Sequence, residues 1–191
     1  MDASAADGRI LSPIDDLIEH LRLRALRRDG PFSLRSGGIS DWYLDARQTT
    51  FDGSGALLVG KVVLSMLESS IQAVGGMTMG ADPVAVATAI AGVQSGRAMR
   101  AFSVRKSGKE HGLGGRLVGP IGRGDRVAVV EDTATTGAAL SEAIDVLLSE
   151  GVVVVQAIAV CDRSGGVVAE RLQARSIPFQ AAVLPVDLGI E

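Results

Sequence analysis

Cysteine is nearly absent from the chain: Cys161 is the only one in 191 residues. No internal disulfide can form, and a reducing compartment, the cytoplasm, is the expected home. Aromatic residues are just as scarce, at 3%, and the formal net charge is −3. Proteins that hold single strands of nucleic acid without sequence preference stack bases on aromatics inside a basic groove. This chain has neither the aromatics nor the charge, so nucleic acid is not an expected partner. No apolar run approaches the roughly 20 residues that cross a bilayer; the nearest is the interrupted stretch from Val152 to Val160. Nor does the N-terminus read as a basic region leading into an apolar signal segment, so no membrane partner is expected.

The chain is 47% hydrophobic and 21% charged, the balance of an ordinary globular protein. Its length suits one domain with a full core and a small hood. Ser12 and Pro13 form a plausible cap and first turn, and Ile14, Leu17, Ile18, Leu21 and Ala25 follow at helical spacing, which predicts an amphipathic helix from Pro13 to Arg28. A stretch rich in Gly, Ser and Asp follows, in which Trp42, Tyr43 and Leu44 suggest a short strand. Further helices are predicted from Ser54 to Ser69 and from Pro83 to Gln94, with a short strand from Ala101 to Val104.

The clearest pattern begins at Arg126. A β-branched run to Val130 ends at Glu131 and Asp132, and a helix from Ala138 to Glu150 is closed by Gly151. A second β-branched run, Val152 to Val160, comes next. Strand, loop, helix and strand within about 35 residues make a βαβ unit whose strands are parallel and buried on both faces. Phe179 to Leu184 is a last candidate strand.

VAVVEDTATTGAAL, Val127 to Leu140, carries the strongest chemical signal. Thr133, Thr135 and Thr136 offer hydroxyl donors. Gly137, Ala138 and Ala139 leave backbone N–H groups unobstructed at a helix N-terminus, where the dipole favours an anion such as a phosphate monoester. Taken alone, a TTG loop fits a plain capped helix equally well. The acid pair before it shifts the balance, because two adjacent carboxylates at a buried strand end repel phosphate and call for neutral donors or cations. Ribose hydroxyls with a bound Mg²⁺ supply both. No GxxxxGK[ST] motif is present, and the glycines at Gly112, Gly114 and Gly115 follow no clear strand into a helix, which weakens a kinase or dinucleotide reading.

An apolar run, two acids, a Thr-rich turn and a helix resemble the phosphoribosyl diphosphate motif of type I phosphoribosyltransferases. The resemblance implies that Glu131 and Asp132 hold the ribose hydroxyls, Asp132 as a catalytic group, and that Thr133, Ala134, Thr135, Thr136, Gly137, Ala138 and Ala139 hold the 5-phosphate. It also implies an α/β fold with a central, mainly parallel sheet flanked by helices. Residues 1–191 would form one domain, with an N-terminal helix and hood over about 1–50 and a flexible lid over about 105–118.

The lid itself, RKSGKEHGLGG from Arg105 to Gly115, gathers Arg105, Lys106, Lys109 and His111 in an acidic chain. Cations there would stabilise a pyrophosphate leaving group as it gains charge, and the glycines would let the segment close and exclude water. A solvated charged loop is the plainer alternative. Together with the acid-pair loop the segment resembles the catalytic loop of orotate phosphoribosyltransferases. That resemblance implies diphosphate binding by Arg105, Lys106, Lys109 and His111, with Lys109 catalytic, and a homodimer that shares the lid between subunits. FSLRSGGISDWYLDAR (Phe32 to Arg47), GGMTMGADPVAVA (Gly75 to Ala87) and CDRSGG (Cys161 to Gly166) extend the similarity over most of the chain.

The same resemblance gives Arg163 and Thr135 contacts with orotate and puts Arg35 where many relatives have a substrate-side Lys. A guanidinium suits a carboxylate or ring carbonyl, although Arg163 suits equally a structural pairing with Asp162 or Glu170. Gly80 and Leu44 depart from the pattern: some relatives carry a Lys at the first position and an aromatic at the second. The rival readings are a purine phosphoribosyltransferase, which the basic lid argues against, and a noncatalytic sensor that binds nucleic acid through an added surface, for which no basic patch is visible.

Overall fold

The computed structural model describes residues 12–33, 38–108 and 115–190. The chain opens with helix α1 (Pro13–Arg24), and the short strands β1 (Leu26–Arg27), β2 (Phe32–Ser33), β3 (Ile39–Ser40) and β4 (Tyr43–Leu44) follow. Helices α2 (Arg47–Thr50) and α3 (Gly53–Met66), strand β5 (Ala73–Met77), helix α4 (Ala81–Gln94) and strands β6 (Arg100–Val104) and β7 (Leu117–Val118) come next. The chain ends with β8 (Arg126–Ala134), α5 (Ala138–Ser149), β9 (Val153–Asp162), α6 (Val167–Gln173), β10 (Phe179–Val183) and a 3₁₀ turn, Pro185–Leu188.

Six strands form one sheet in the order β10-β9-β8-β5-β6-β7, all parallel except β7, which pairs antiparallel with β6. Alternation along β8 splits the core in two. Ala128 and Val130 face a layer built on Leu17, Leu21, Val59 and Val63 from α1 and α3. Val127 and Val129 face Leu140, Ile144 and Leu147 of α5 and Leu172 of α6. A sheet covered on both faces is what uninterrupted β-branched runs encode.

Ser12 caps α1 as expected, in a reciprocal capping box with Asp15. The helix stops at Arg24, short of the predicted Arg28, because Leu26 and Arg27 leave it to pair antiparallel with Leu44 and Tyr43. Asp52 starts α3 by accepting from the N–H groups of Ser54 and Gly55, each at 3.0 Å. Gln156, one of the few polar side chains buried in the core, ties the end of α3 to β9: its Oε1 accepts from Glu68 N at 2.8 Å and its Nε2 donates to Met66 O at 3.1 Å. None of the helices among the described residues is long and apolar enough to cross a membrane.

Candidate active site

From β5 the chain runs to β6 on one side, and β8 then returns to the other. The carboxyl ends of β5 and β8 therefore diverge at a topological switch point, where open α/β sheets form their ligand crevices. A cleft of about 1020 Å³ opens there. Residues 43–47 and Ser33 of the hood wall one side, residues 77–80 after β5 another, and the end of β8 with the start of α5 the third.

Glu131 and Asp132 lie on the floor of this cleft. The sequence predicts a strand that ends at these acids, yet β8 continues to Ala134, since Thr133 and Ala134 still pair with Cys161 and Asp162 of β9. The carboxylates are thus anchored in the ladder, not in a loop. Glu131 is buried, and its Oε2 has no hydrogen-bond partner. Burial, reinforced by Asp132 beside it, pushes the Glu131 carboxyl up to about 9, so in the free protein it is neutral at pH 7. Asp132 is partly exposed, and its Oδ1 accepts from Thr133 N at 2.7 Å.

Past Ala134 the chain turns into α5. Gly137 is the N-cap, at φ 72°, a left-handed conformation natural to glycine. Thr133, Thr135, Thr136 and Ala139 line the cleft, while Ala134 and Gly137 are buried beneath it and Ala138 is exposed. Thr136 Oγ1 accepts from Ala138 N at 3.3 Å.

Arg163 follows β9 directly and also lines the cleft. Its backbone N–H donates to Ala134 O at 2.8 Å, tying the two loops together. Among the described residues its side chain forms no ion pair with Asp162 or Glu170; the guanidinium carbon instead lies 4.1 Å from the centre of the Trp42 ring. Asp162 is engaged elsewhere, accepting from Ser164 N at 2.8 Å.

Lys106 reaches the cleft from the lid side. Arg105 does not line it; its backbone belongs to the lid's stem, where Arg105 N donates to Arg116 O at 2.8 Å and Arg116 Nε donates to Arg105 O at 2.6 Å. Arg116 also pairs with Glu142 on α5, a cleft-lining residue. The stem's far side is regular, with Leu117 and Val118 in β7, although the sequence places both in the lid loop. Lys109, His111 and Arg35 lie outside the described residues.

Sequence reasoning gave no role to residues 77–80, Arg47 or Glu142. The turn after β5 brings Gly80 against the acid pair, and Thr78 Oγ1 donates to Asp82 Oδ2 at 2.6 Å across it. The doublet Gly75-Gly76 followed by Asp82-Pro83 was the available signal for a strand passing into a helix through a tight turn. Leu44, the other departure, is buried in β4 with its backbone paired to Leu26.

Among the described residues no three His, Cys, Asp or Glu side chains gather into a metal-holding cluster. In the cleft, Glu131 Oε2 is nevertheless buried without a partner, and Asp132 lies beside it. Such a donor set fits a Mg²⁺ that brings substrate oxygens and water as its remaining ligands, not one caged by protein alone.

A parallel sheet with an acid pair and a threonine turn at its switch point, roofed by a hood of short strands, places the chain in the type I phosphoribosyltransferase class of folds. No protein-family model matches the chain, but individual relatives do. The orotate phosphoribosyltransferase of Streptomyces avermitilis is 43% identical over 164 residues, covering 85% of this chain and 90% of that one. Two crystal structures of Mycobacterium tuberculosis orotate phosphoribosyltransferase superpose on it. The complex with Fe(III) dicitrate has a TM-score of 0.82 at 35% identity, and the complex with phosphoribosyl diphosphate 0.78 at 32%; each covers 94% of this chain and 100% of its own. The chain belongs to the orotate phosphoribosyltransferase family.

Proposed function

We propose that the chain transfers ribose 5-phosphate from phosphoribosyl diphosphate to orotate, giving orotidine 5′-phosphate and pyrophosphate. The observation that carries this reading is the sharing of one cleft by Glu131, Asp132, the Thr135 turn, Arg163 and Lys106. The relatives' names supply the base; the mycobacterial complex shows that a close structural neighbour takes the diphosphate.

The 5-phosphate sits at the start of α5, held by the hydroxyls of Thr133, Thr135 and Thr136 and by backbone N–H groups of residues 137–139. Asp132 and Glu131 hold the ribose hydroxyls and steady the ring. Orotate lies toward Arg163, whose fork faces its carboxylate or a ring carbonyl. As the bond from C1 to the diphosphate loosens, C1 gains positive character, the orotate nitrogen attacks it as its N–H proton passes to solvent, and pyrophosphate leaves with the bonding electron pair. Lys106 meets the growing negative charge, with Arg105, Lys109 and His111 completing the lid. Glu131 and Asp132 would hold a Mg²⁺ carried by the substrate, and that ion would neutralise diphosphate charge.

A homodimer in the cytoplasm is part of the proposal. The exposed apolar stripe Val86, Ile90 and Val93 on α4 supports self-association. One assay tests the reaction: phosphoribosyl diphosphate and Mg²⁺ are offered separately with orotate, uracil, adenine and hypoxanthine. Consumption of orotate alone is expected, and turnover of a purine in its place would overturn the reading.

A further inference from the structure

Arg163 is held in an unusual way for a cation at a cleft wall. It is half-buried, burial holds its guanidinium below the ordinary arginine value, and its Nε is buried without a hydrogen-bond partner. No carboxylate among the described residues pairs with it. What fixes the side chain is the indole of Trp42, 4.1 Å from ring centre to guanidinium carbon. Trp42 does not line the cleft, whereas Arg163 does. The ring is therefore a backing plate, with the guanidinium between it and the cavity.

Trp42 is itself well anchored. Its N–H donates to Ser40 Oγ at 3.3 Å, its carbonyl accepts from the same hydroxyl at 2.8 Å, and its ring packs against the core layer of α1 and α3. A cation stacked on an aromatic face keeps its charge and its edge N–H groups, because the contact uses the face of the fork and no donor. An acid partner in that place would occupy the edge and cancel the charge.

We infer that Trp42 is a positioning residue for base recognition: it orients the Arg163 guanidinium so that its charge and unpaired donors remain available to an anionic, planar base. This rests on the assignment of Arg163 to the base side of the cleft. It makes the hood part of the specificity of the site, since Trp42 belongs to the hood and Arg163 to the turn that follows β9.

The test compares Trp42→Leu, Trp42→Phe, Arg163→Ala and the Trp42→Leu/Arg163→Ala double variant by steady-state kinetics with both substrates varied. Trp42→Leu is expected to raise the KM for orotate by about 2- to 30-fold, the range spanned by a cation–π contact, with the KM for phosphoribosyl diphosphate unchanged. Trp42→Phe should retain most of the orotate affinity. The double variant should be no worse for orotate than Arg163→Ala alone. Trp42 is the only tryptophan, so its fluorescence gives a second readout that needs no Trp42 variant to fold. Emission of the native protein should change on adding orotate, and Arg163→Ala should abolish that response. If Arg163→Ala leaves the orotate KM unaltered, the base-site assignment fails and this inference with it. If Arg163→Ala raises the orotate KM but Trp42→Leu leaves it unaltered, or raises both KM values equally, Trp42 has no positioning role and the base-site assignment stands.

Discussion

Gly80 lies so close to Glu131 that a β-carbon on it would stand 2.6 Å from Glu131 Oε1, and 2.8 Å from Asp132 Oδ1. Its backbone is ordinary right-handed helical, φ −58° and ψ −43°. The demand for glycine is therefore one of space: the turn after β5 presses its bare backbone onto the acid pair that is assigned to the ribose.

Gly80→Ala should displace both carboxylates without unfolding the chain. The KM for phosphoribosyl diphosphate is expected to rise roughly tenfold, a loss on the order of 1.4 kcal/mol of binding, while the melting temperature moves little. Steady-state kinetics beside a thermal melt check this, and an unchanged KM would show that the acid pair does not depend on the close approach.

Glu131 makes stability depend on pH in a direction opposite to that of most carboxylates. Its folded value, about 9, lies above the ordinary 4.5. Between those two values the unfolded chain has lost a proton that the folded chain keeps, so stability falls as pH rises through that window and levels off above it. Glu131→Gln removes the proton linkage. The variant should gain on the wild type, by roughly 4 kcal/mol at pH 8 relative to pH 5, in urea unfolding at the two pH values. Parallel curves for the two proteins would rule out the buried neutral acid.

The βαβ unit around the acid pair was legible because its periods are clean: β-branched residues fill β8 and β9, and Leu140, Ala143, Ile144 and Leu147 form one stripe on α5. The acid pair and the threonine turn are local in the sequence, so the heart of the site could be read there. Strand β5 was not. Its centre is Gly75-Gly76, residues of poor strand propensity, and the reason for them is tertiary: β-carbons there would stand 2.2 Å from Phe102 O and Val130 O respectively. The two-residue hood strands have too little pattern to detect, and the approach of Trp42 to Arg163 joins positions far apart in the chain. Such contacts exist only once the sheet has formed.

Arg116 joins the lid's stem to α5 through Arg105 and Glu142. Arg116→Ala should free the stem and reduce kcat by about tenfold, an effect of misplaced groups rather than of lost chemistry, while the orotate KM changes less than twofold. Activity equal to the wild type would confine Arg116 to the protein surface.

Lys109→Ala tests the lid cation that the sequence singles out. Turnover is expected to fall by about 100-fold or more, in line with the loss of one charge stabiliser of a transition state, with an unchanged circular dichroism spectrum. Near-normal turnover would remove Lys109 from the mechanism.

Asp52 caps α3 and receives His20 Nε2 at 3.2 Å and Ser54 Oγ as well. The hydrogen bond from Ser54 and those from the Gly55 and Ser54 N–H groups hold its carboxyl well below the usual range. The stabilisation is complete above about pH 4 and fades as pH falls toward the lowered value. Asp52→Ala should lower the melting temperature by roughly 2–4 °C at pH 7 and by less at pH 3, as scanning calorimetry at the two pH values can determine.

Cys161, the chain's single thiol, is wholly buried at the end of β9, and burial pushes it up to about 12. A sulfur so shielded and so reluctant to ionise should ignore iodoacetamide and maleimides in the native state. With the native thiol shielded in this way, one cysteine introduced at Ser107 should accept a dye or spin label against little background, and the surroundings of that position could be followed during turnover.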